Sequence, residues 1–319
     1  MKYVESKGLN ISAFSLGTVQ LGMNYGLGEY TQKPEKSYAF ELLNKAVELG
    51  VNVLDTSDNY GDSESVIGEW LQTKKPNERP FVVTKFGGKI DFSSDETIKK
   101  NIIDSVDRSI KKLNLDKLDV IMAHSTDEYM QNPKAFQDAM HILKETGKTN
   151  LTGISTYSRH DYKMLAKTGF DAVQIPINVF DWGKIEDGGI DALAESGMTV
   201  YARSVFLQGL VFMNPDNLDE GMSFCKKPLQ RYLEICKEFN MSPAVLAMSF
   251  VLSLPGITSV VLGCQRVEQV ENNCELIAQV QKLDKEQMNL LRNEFANIDP
   301  RVINPSTWSN EAWGKNNKK

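Results

Sequence analysis

Several things are scarce in this chain, and each scarcity removes a class of protein. No apolar run approaches the length of a bilayer-spanning helix, so no membrane is expected. Positive charge is not in excess. The 36 Lys and Arg against 42 Asp and Glu give a formal charge of −6, which argues against an electrostatic grip on nucleic acid. Cysteine is rare, and Cys225, Cys236, Cys264 and Cys274 show no C-x-x-C spacing; they read as reduced, mostly buried thiols. Histidine is rarer still, three in 319 residues, and no His or Cys pair has metal-ligand spacing, so no metal is expected. The glycine fingerprint G-x-G-x-x-G is missing as well. The nearest approach, Gly26-Leu-Gly28-Glu-Tyr-Thr31, follows no strand-like run. The start, Met1-Lys-Tyr-Val-Glu-Ser-Lys7, lacks the apolar core of a signal peptide, and the expectation is a cytoplasmic protein.

What is present is the composition of a folded globule, 41% hydrophobic and 24% charged. Residues 2–12 alternate around Lys7-Gly8-Leu9-Asn10, which predicts a small β-hairpin. Phe14-Ser-Leu16 reads as a first core strand ending at Gly17-Thr18, and 22–34 as a long loop. Strand-like runs recur at 51–54, 80–84, 118–123, 151–154, 172–175, 198–202 and 258–262. Helical periodicity fills the gaps at 35–48, 64–72, 95–113, 133–145, 159–167, 187–196 and 228–252. Thr199-Val-Tyr-Ala202 and Ser259-Val-Val-Leu262 are nearly continuous apolar runs, as in strands buried on both faces. Eight strand–helix units predict a closed (β/α)8 TIM barrel; a doubly wound open sheet is the alternative, and the missing fingerprint counts against it. No linker divides the chain, so 1–319 reads as one domain, with the hairpin at 1–12 and a tail at 299–319. The tail, with Trp308 and Trp313, is expected to pack over the active-site end of the barrel.

Barrel active sites gather at the C-terminal ends of the strands. Three successive strands end in Asp55, Lys85 and His124, and Tyr60 follows Asp55 in the loop Asp55-Thr-Ser-Asp-Asn-Tyr60-Gly61. Taken singly, each fits a structural role: a cap, a packed ring, a solvated strand end, a bonded core histidine. Taken together they suit one reaction. Hydride delivery to a carbonyl leaves an alkoxide that needs a proton. A phenol can supply it, and a neighbouring ammonium lowers its pKa from about 10. Asp55 would hold Lys85, and His124 would hydrogen-bond the carbonyl oxygen. His141 and His160 fall in helical periodicity and read as surface residues. Gly87-Gly88-Lys89 lacks the spacing of a phosphate loop and reads as a turn.

These residues, with Leu16-Gly-Thr18, Val83-Thr-Lys85, Leu118-Asp-Val-Ile-Met-Ala-His124, Gly153-Ile-Ser155 and Ser204-x-x-x-Gln208-Gly209-Leu210, give the chain a resemblance to the aldo-keto reductases over about residues 2–300. The bacterial members are the nearest in pattern. The resemblance implies a TIM barrel, a nicotinamide cofactor and the tetrad Tyr60, Lys85, His124 and Asp55. The cofactor is usually NADPH, and NADH is possible here. It also implies an extended dinucleotide along the C-terminal face, touching Gly17, Thr18, Ser155, Thr156 and Gln174. The run Ser204, Phe206, Gln208, Gly209 would wrap the pyrophosphate, and Gly263, Arg266, Gln269, Asn272 and Asn273 would meet the adenosine phosphate. Two positions depart from the family pattern: Thr156 stands where an Asn is usual, and Arg203 where an aromatic stacks on nicotinamide. Arg203 would stack there instead, or reach a cofactor phosphate or an acidic substrate.

Substrate contacts are expected from Met23, Tyr25, Trp182, Phe206 and Trp308, each equally able to be packing. The partner is a small carbonyl compound; oligomeric state is not legible. Two other classes compete. Lys85 at a strand end beside an acid also suits a Schiff-base lyase. A cofactor-binding sensor or accessory subunit with little turnover is the third reading.

Overall fold

The computed structural model describes residues 1–25 and 32–308. The near-fingerprint at 26–31 and the tail end at 309–319, with Trp313, lie outside the described residues. Strands β1 (Tyr3–Ser6) and β2 (Leu9–Ser12) pair antiparallel as the expected hairpin. Lys7 and Gly8 turn it with φ of 51° and 74°. Eight strands follow: β3 (Phe14–Gly17), β4 (Val53–Asp55), β5 (Phe81–Phe86), β6 (Leu118–Ala123), β7 (Thr149–Ser155), β8 (Ala172–Pro176), β9 (Thr199–Arg203) and β10 (Ile257–Gly263). They pair in parallel and close in the order β10-β3-β4-β5-β6-β7-β8-β9. The TIM barrel is therefore the fold.

Strand alternation places the site. Successive side chains point to opposite faces. One face carries Val53 and Asp55 on β4, then Phe81, Val83 and Lys85 on β5. It continues with Val120 and Met122 on β6, and His124 one step past its end. Ala172 and Gln174 follow on β8, Tyr201 and Arg203 on β9, Val261 and Gly263 on β10. The apolar members fill the barrel interior as one buried cluster with Ile11, and Leu9 packs against it. Ile11 and Leu9 belong to β2, so the hairpin closes the N-terminal mouth. Asn52 holds it there, accepting from Ser12 N at 2.8 Å and donating to Asn10 O at 2.7 Å. The polar members of the same faces stand together at the other mouth. Outward residues such as Leu54, Val82, Ile121, Val173 and Val260 join the larger core beneath the helices. Each such aliphatic side chain contributes about 1.5–3 kcal/mol on burial.

The helix Asp95–Leu113 forms as expected, capped by the Ser94 side chain and ended by Asn114 at φ 51°. It buries Ile98, Ile102, Val106 and Leu113. Three helical expectations need correction. The segment 159–167 holds only Tyr162–Leu165, because Asp161 caps at Lys163 and a single turn follows. The segment 187–196 contributes Gly189–Glu195, preceded by a separate turn, Gly183–Glu186. The segment 228–252 is two helices, Lys226–Glu238 and Pro243–Ser253. Asn240 at φ 52° stops the first, and Ser242 with Pro243 starts the second. Among the described residues no single helix is long and apolar enough to cross a membrane.

Candidate active site

Lys85 is fully buried, and its Nζ donates to Asp55 Oδ1 at 2.7 Å and to Thr56 O at 2.9 Å. Burial pulls its pKa below the usual lysine value, and Asp55 opposes the shift. Gln174 donates from Nε2 to the same Asp55 oxygen at 2.7 Å. Two donors thus converge on one carboxylate from strands β5 and β8.

Tyr60 stands above this pair. Lys85 Nζ lies 5.3 Å from its ring centroid, and the His124 ring meets it edge-on at 5.7 Å. Burial raises the Tyr60 phenol above its usual range; the negative charge of Asp55 adds to that, and Arg203 works against it. The expected lowering by a neighbouring ammonium is therefore outweighed here, and the phenol is held protonated. Burial, then the charges of Lys85 and Arg203, bring His124 down to about 3. The imidazole is neutral, and its tautomer is set by neighbours. Asn59 Nδ2 donates to Gly87 O at 3.2 Å and faces His124 Nδ1 at 3.4 Å; Ser57 Oγ lies 3.0 Å from the same nitrogen. Asn59 Nδ2 can only donate, so its approach to Nδ1 favours the tautomer with the proton on Nε2.

The loop bearing Tyr60 is held by two glycines. A Cβ on Gly22 would lie 1.8 Å from Tyr60 O, and one on Gly61 would lie 2.2 Å from Gly22 O. Backbone crosses backbone there with no room for a side chain. Ser63 ties the same loop to β3 by donating to Thr18 O at 2.9 Å, and Thr18 Oγ1 donates to Asp55 O at 2.9 Å.

A cavity of about 300 Å³ opens beside Tyr60, Asp55 and Gln174 and runs past Arg203 to Gly263 and Asn273. Gly17, Thr18, Ser204, Phe206, Gln208 and Gly209 line it too. The segment Ser204–Gly209 is strained: Ser204, Leu207, Gln208 and Gly209 all have positive φ, from 45° to 87°. Gln20, which no sequence motif singles out, also lines this cavity; its Oε1 is buried without a hydrogen-bond partner among the described residues.

The match to the sequence profile of the aldo/keto reductases covers residues 13–293. The chain belongs to the aldo/keto reductase family. Uncharacterized oxidoreductase YqkF of Bacillus subtilis is 26% identical over 298 residues, covering 87% of this chain and 94% of that one. L-galactose dehydrogenase of Arabidopsis thaliana is 26% identical, covering 97% and 96%. Aldo-keto reductase AKR11C1 from Bacillus halodurans, a holo form, superposes with a TM-score of 0.74 at 20% identity, over 95% of this chain and 99% of that one. An aldo/keto reductase is an oxidoreductase working with a nicotinamide cofactor. The groove fits such a group: Gly17, Gly209 and Gly263 line it without side chains, and Gln20 holds an unmatched acceptor beside it.

Other expected contacts of this aldo/keto reductase fall elsewhere. Thr156 is buried, its Oγ1 2.9 Å from His160 Nδ1, and Ser155 is buried beside it; neither lines the cavity. Gln269 caps the helix Val267–Gln279, accepting from Gln265 N and Arg266 N at 2.7 and 3.2 Å. Arg266 pairs with Glu268 at 3.1 Å, and Asn272 stands on the same helix, outside the cavity lining. Trp182 is a core residue: its indole donates to Val179 O at 2.9 Å and packs on Phe250. Trp308 is 3% exposed and donates to Arg301 O at 3.0 Å. Both indoles are buried and hydrogen-bonded within the fold, and neither lines the two cavities beside Arg203. Met23 is exposed and lies outside the lining, whereas Tyr25 lines the groove.

A second cavity, about 540 Å³, adjoins the first and shares Tyr25, Arg203, Ser204, Leu207 and Gln208 with it. Its outer wall is the tail residue Pro300 with Ile303, Asn304 and Pro305, so the described tail does reach this mouth of the barrel. His160, expected on the surface, is 12% exposed; its Nε2 lies 2.9 Å from Asp127 Oδ1 and its Nδ1 accepts from Tyr157 N at 3.2 Å. That pair fixes the loop carrying Thr156 and Tyr157. The spacing Thr156-x-x-x-His160 is its only signal in the sequence.

Proposed function

We propose that this protein is an NADPH-dependent carbonyl reductase, turning an aldehyde, ketone or sugar carbonyl into the alcohol with Tyr60 as proton donor. One observation carries the reading: Tyr60 and Asp55 line a cavity that runs on to Gly263 and Asn273, with the buried Lys85–Asp55 pair and the neutral His124 ring set against Tyr60. The nicotinamide supplies hydride when bound. His124 Nε2–H holds the carbonyl oxygen and stabilises charge as it develops there. Tyr60 gives its proton to that oxygen, and Lys85 stabilises the phenolate left behind while Asp55 and Gln174 hold Lys85 in place. The strained Ser204–Gly209 segment would embrace the pyrophosphate, and Gln20 would accept a hydrogen bond from the bound group.

The test is oxidation of NADPH and of NADH, read at the reduced-nicotinamide absorbance, over a panel of aldehydes, ketones and sugars. Turnover of at least one carbonyl is expected, faster with NADPH. No turnover with clear cofactor binding would favour an accessory or sensor role. Borohydride trapping of a carbonyl on Lys85, with no cofactor binding, would favour the lyase.

Cofactor choice rests on Arg266. Glu268 competes with a 2′-phosphate for that guanidinium. Exposed pairs of this kind are worth little, so Glu268→Gln is expected to tighten NADPH by about 2- to 5-fold and leave NADH unchanged. Fluorescence titration of both cofactors checks this; equal changes for the two would remove Arg266 from the phosphate site.

A further inference from the structure

We propose that the second cavity receives an anionic group of the substrate, so that the preferred carbonyl compounds are acids, carboxylate or phosphate, held by Arg203. The proposal deepens the reductase reading and rests on it.

Arg203 ends β9 on the inward face, directly above Tyr201. It is half-buried and lines both cavities. A guanidinium has five N–H donors. Here one goes to Thr156 O at 2.9 Å and one reaches Ser204 Oγ at 3.3 Å, both neutral groups. The Tyr157 ring lies 5.0 Å from its Cζ. Among the described residues no carboxylate stands within ion-pair distance of it.

The other charges nearby are already engaged. Lys85 is buried and ion-paired with Asp55, and it also donates to Thr56 O. Arg159 lies over Tyr157 at 4.8 Å and is ion-paired with Asp127. Asp181, also in the wall of the second cavity, is 4% exposed and accepts the Gly183 N–H. Among the described residues lining this mouth, Arg203 is therefore the cation without a carboxylate partner. Holding a guanidinium out of water without a counter-charge is costly, and a ligand anion removes that cost. The planar fork suits carboxylate and phosphate alike. The position gives the chemistry: a molecule with its carbonyl at Tyr60 and His124 and its acid group in the second cavity passes Arg203.

The test compares substrates that differ only in charge. 4-Carboxybenzaldehyde is set against 4-methylbenzaldehyde, and glyceraldehyde 3-phosphate against glyceraldehyde, which separates a carboxylate from a phosphate preference. Wild type is expected to favour at least one acid by about 10- to 100-fold in kcat/KM, the range of a charge-assisted hydrogen bond. Arg203→Met should collapse that ratio toward one, and Arg203→Lys should restore part of it, which a folding defect would not do. Calorimetric binding of 4-(hydroxymethyl)benzoate and of glycerol 3-phosphate, each against its neutral counterpart, reads the cavity without turnover. Tighter acid binding with no turnover of any aldehyde would sink the reductase reading while keeping the anion site. Equal treatment of each charged and neutral pair by wild type would overturn the proposal. So would an unchanged ratio in Arg203→Met, or a ratio unchanged while NADPH binding is lost, which would give Arg203 to the cofactor.

Discussion

Tyr60→Phe is expected to lower kcat by about 10²- to 10⁴-fold, the usual worth of a positioned proton donor. Cofactor affinity should stay near wild type, because the phenylalanine ring keeps the edge contact with His124 and the approach of Lys85. Single-turnover kinetics alongside cofactor titration separate the two quantities. Retained turnover would move the proton donor to His124 or to solvent. His124 is a poor replacement, because a pKa of about 3 keeps its ring neutral at pH 7, with no extra proton to give. The phenol is protonated throughout the neutral range, because its pKa is pushed upward. Reduction should therefore show no loss of rate between about pH 6 and 9 that belongs to Tyr60.

Lys85→Met should damage both catalysis and the fold. The lysine is wholly out of water, with Asp55 4% exposed beside it. Removing one partner of a buried ion pair leaves an uncompensated charge, and the cost is about 3–5 kcal/mol. Gln174 still donates to Asp55 at 2.7 Å, which favours the low end of that range. Urea unfolding should show the loss, and Asp55→Asn with Lys85→Met should recover part of it by removing the stranded charge. If the double variant is no more stable than the single one, the pair does not govern stability here. Activity is expected to stay low in both, since neither has an ammonium to receive the phenolate.

Much of this site is legible in the sequence because a strand's alternation cannot be hidden. Val53 and Asp55, Val83 and Lys85, Met122 and His124 are two residues apart, so an apolar plug and a polar mouth are written into the same stretches. Arg203 stands out through the resemblance, where an aromatic is usual, and its place two residues past Tyr201 puts it on the same face. The parts that escape are set by contacts between distant segments. Trp182 and Trp308 look like loop aromatics in sequence, yet Val179 and Arg301 carbonyls satisfy their indoles within the fold. His160 shows one turn of helical spacing, but its partners, Thr156 and Asp127, decide its place. Gln269 points toward the cofactor by its position in the sequence, and it turns back to cap its own helix. The break at 240–243 is visible in principle: Asn240 and Ser242-Pro243 are a stop and a start, masked by apolar periodicity on either side. The helix Lys285–Phe295 is marked by Asp284 and Gln287, three residues apart, which cap each other, and by the buried pair Leu291 and Phe295.

The glycine crossing under Tyr60 has a consequence for how this enzyme can change. Gly22 belongs to the segment after β3, whose end lines the groove, and it touches the backbone of Tyr60, the proposed proton donor. Groove wall and Tyr60 loop are thereby one mechanical part. Variation that reshapes the pocket is free to work through Tyr25, Tyr157, Arg203 and the tail, which hang from the rim. It has no such freedom at Gly22 or Gly61, where one added carbon would force the Tyr60 loop and the segment after β3 apart. Evolvability in this barrel is partitioned: the rim is negotiable, and the hinge between binding and chemistry is not.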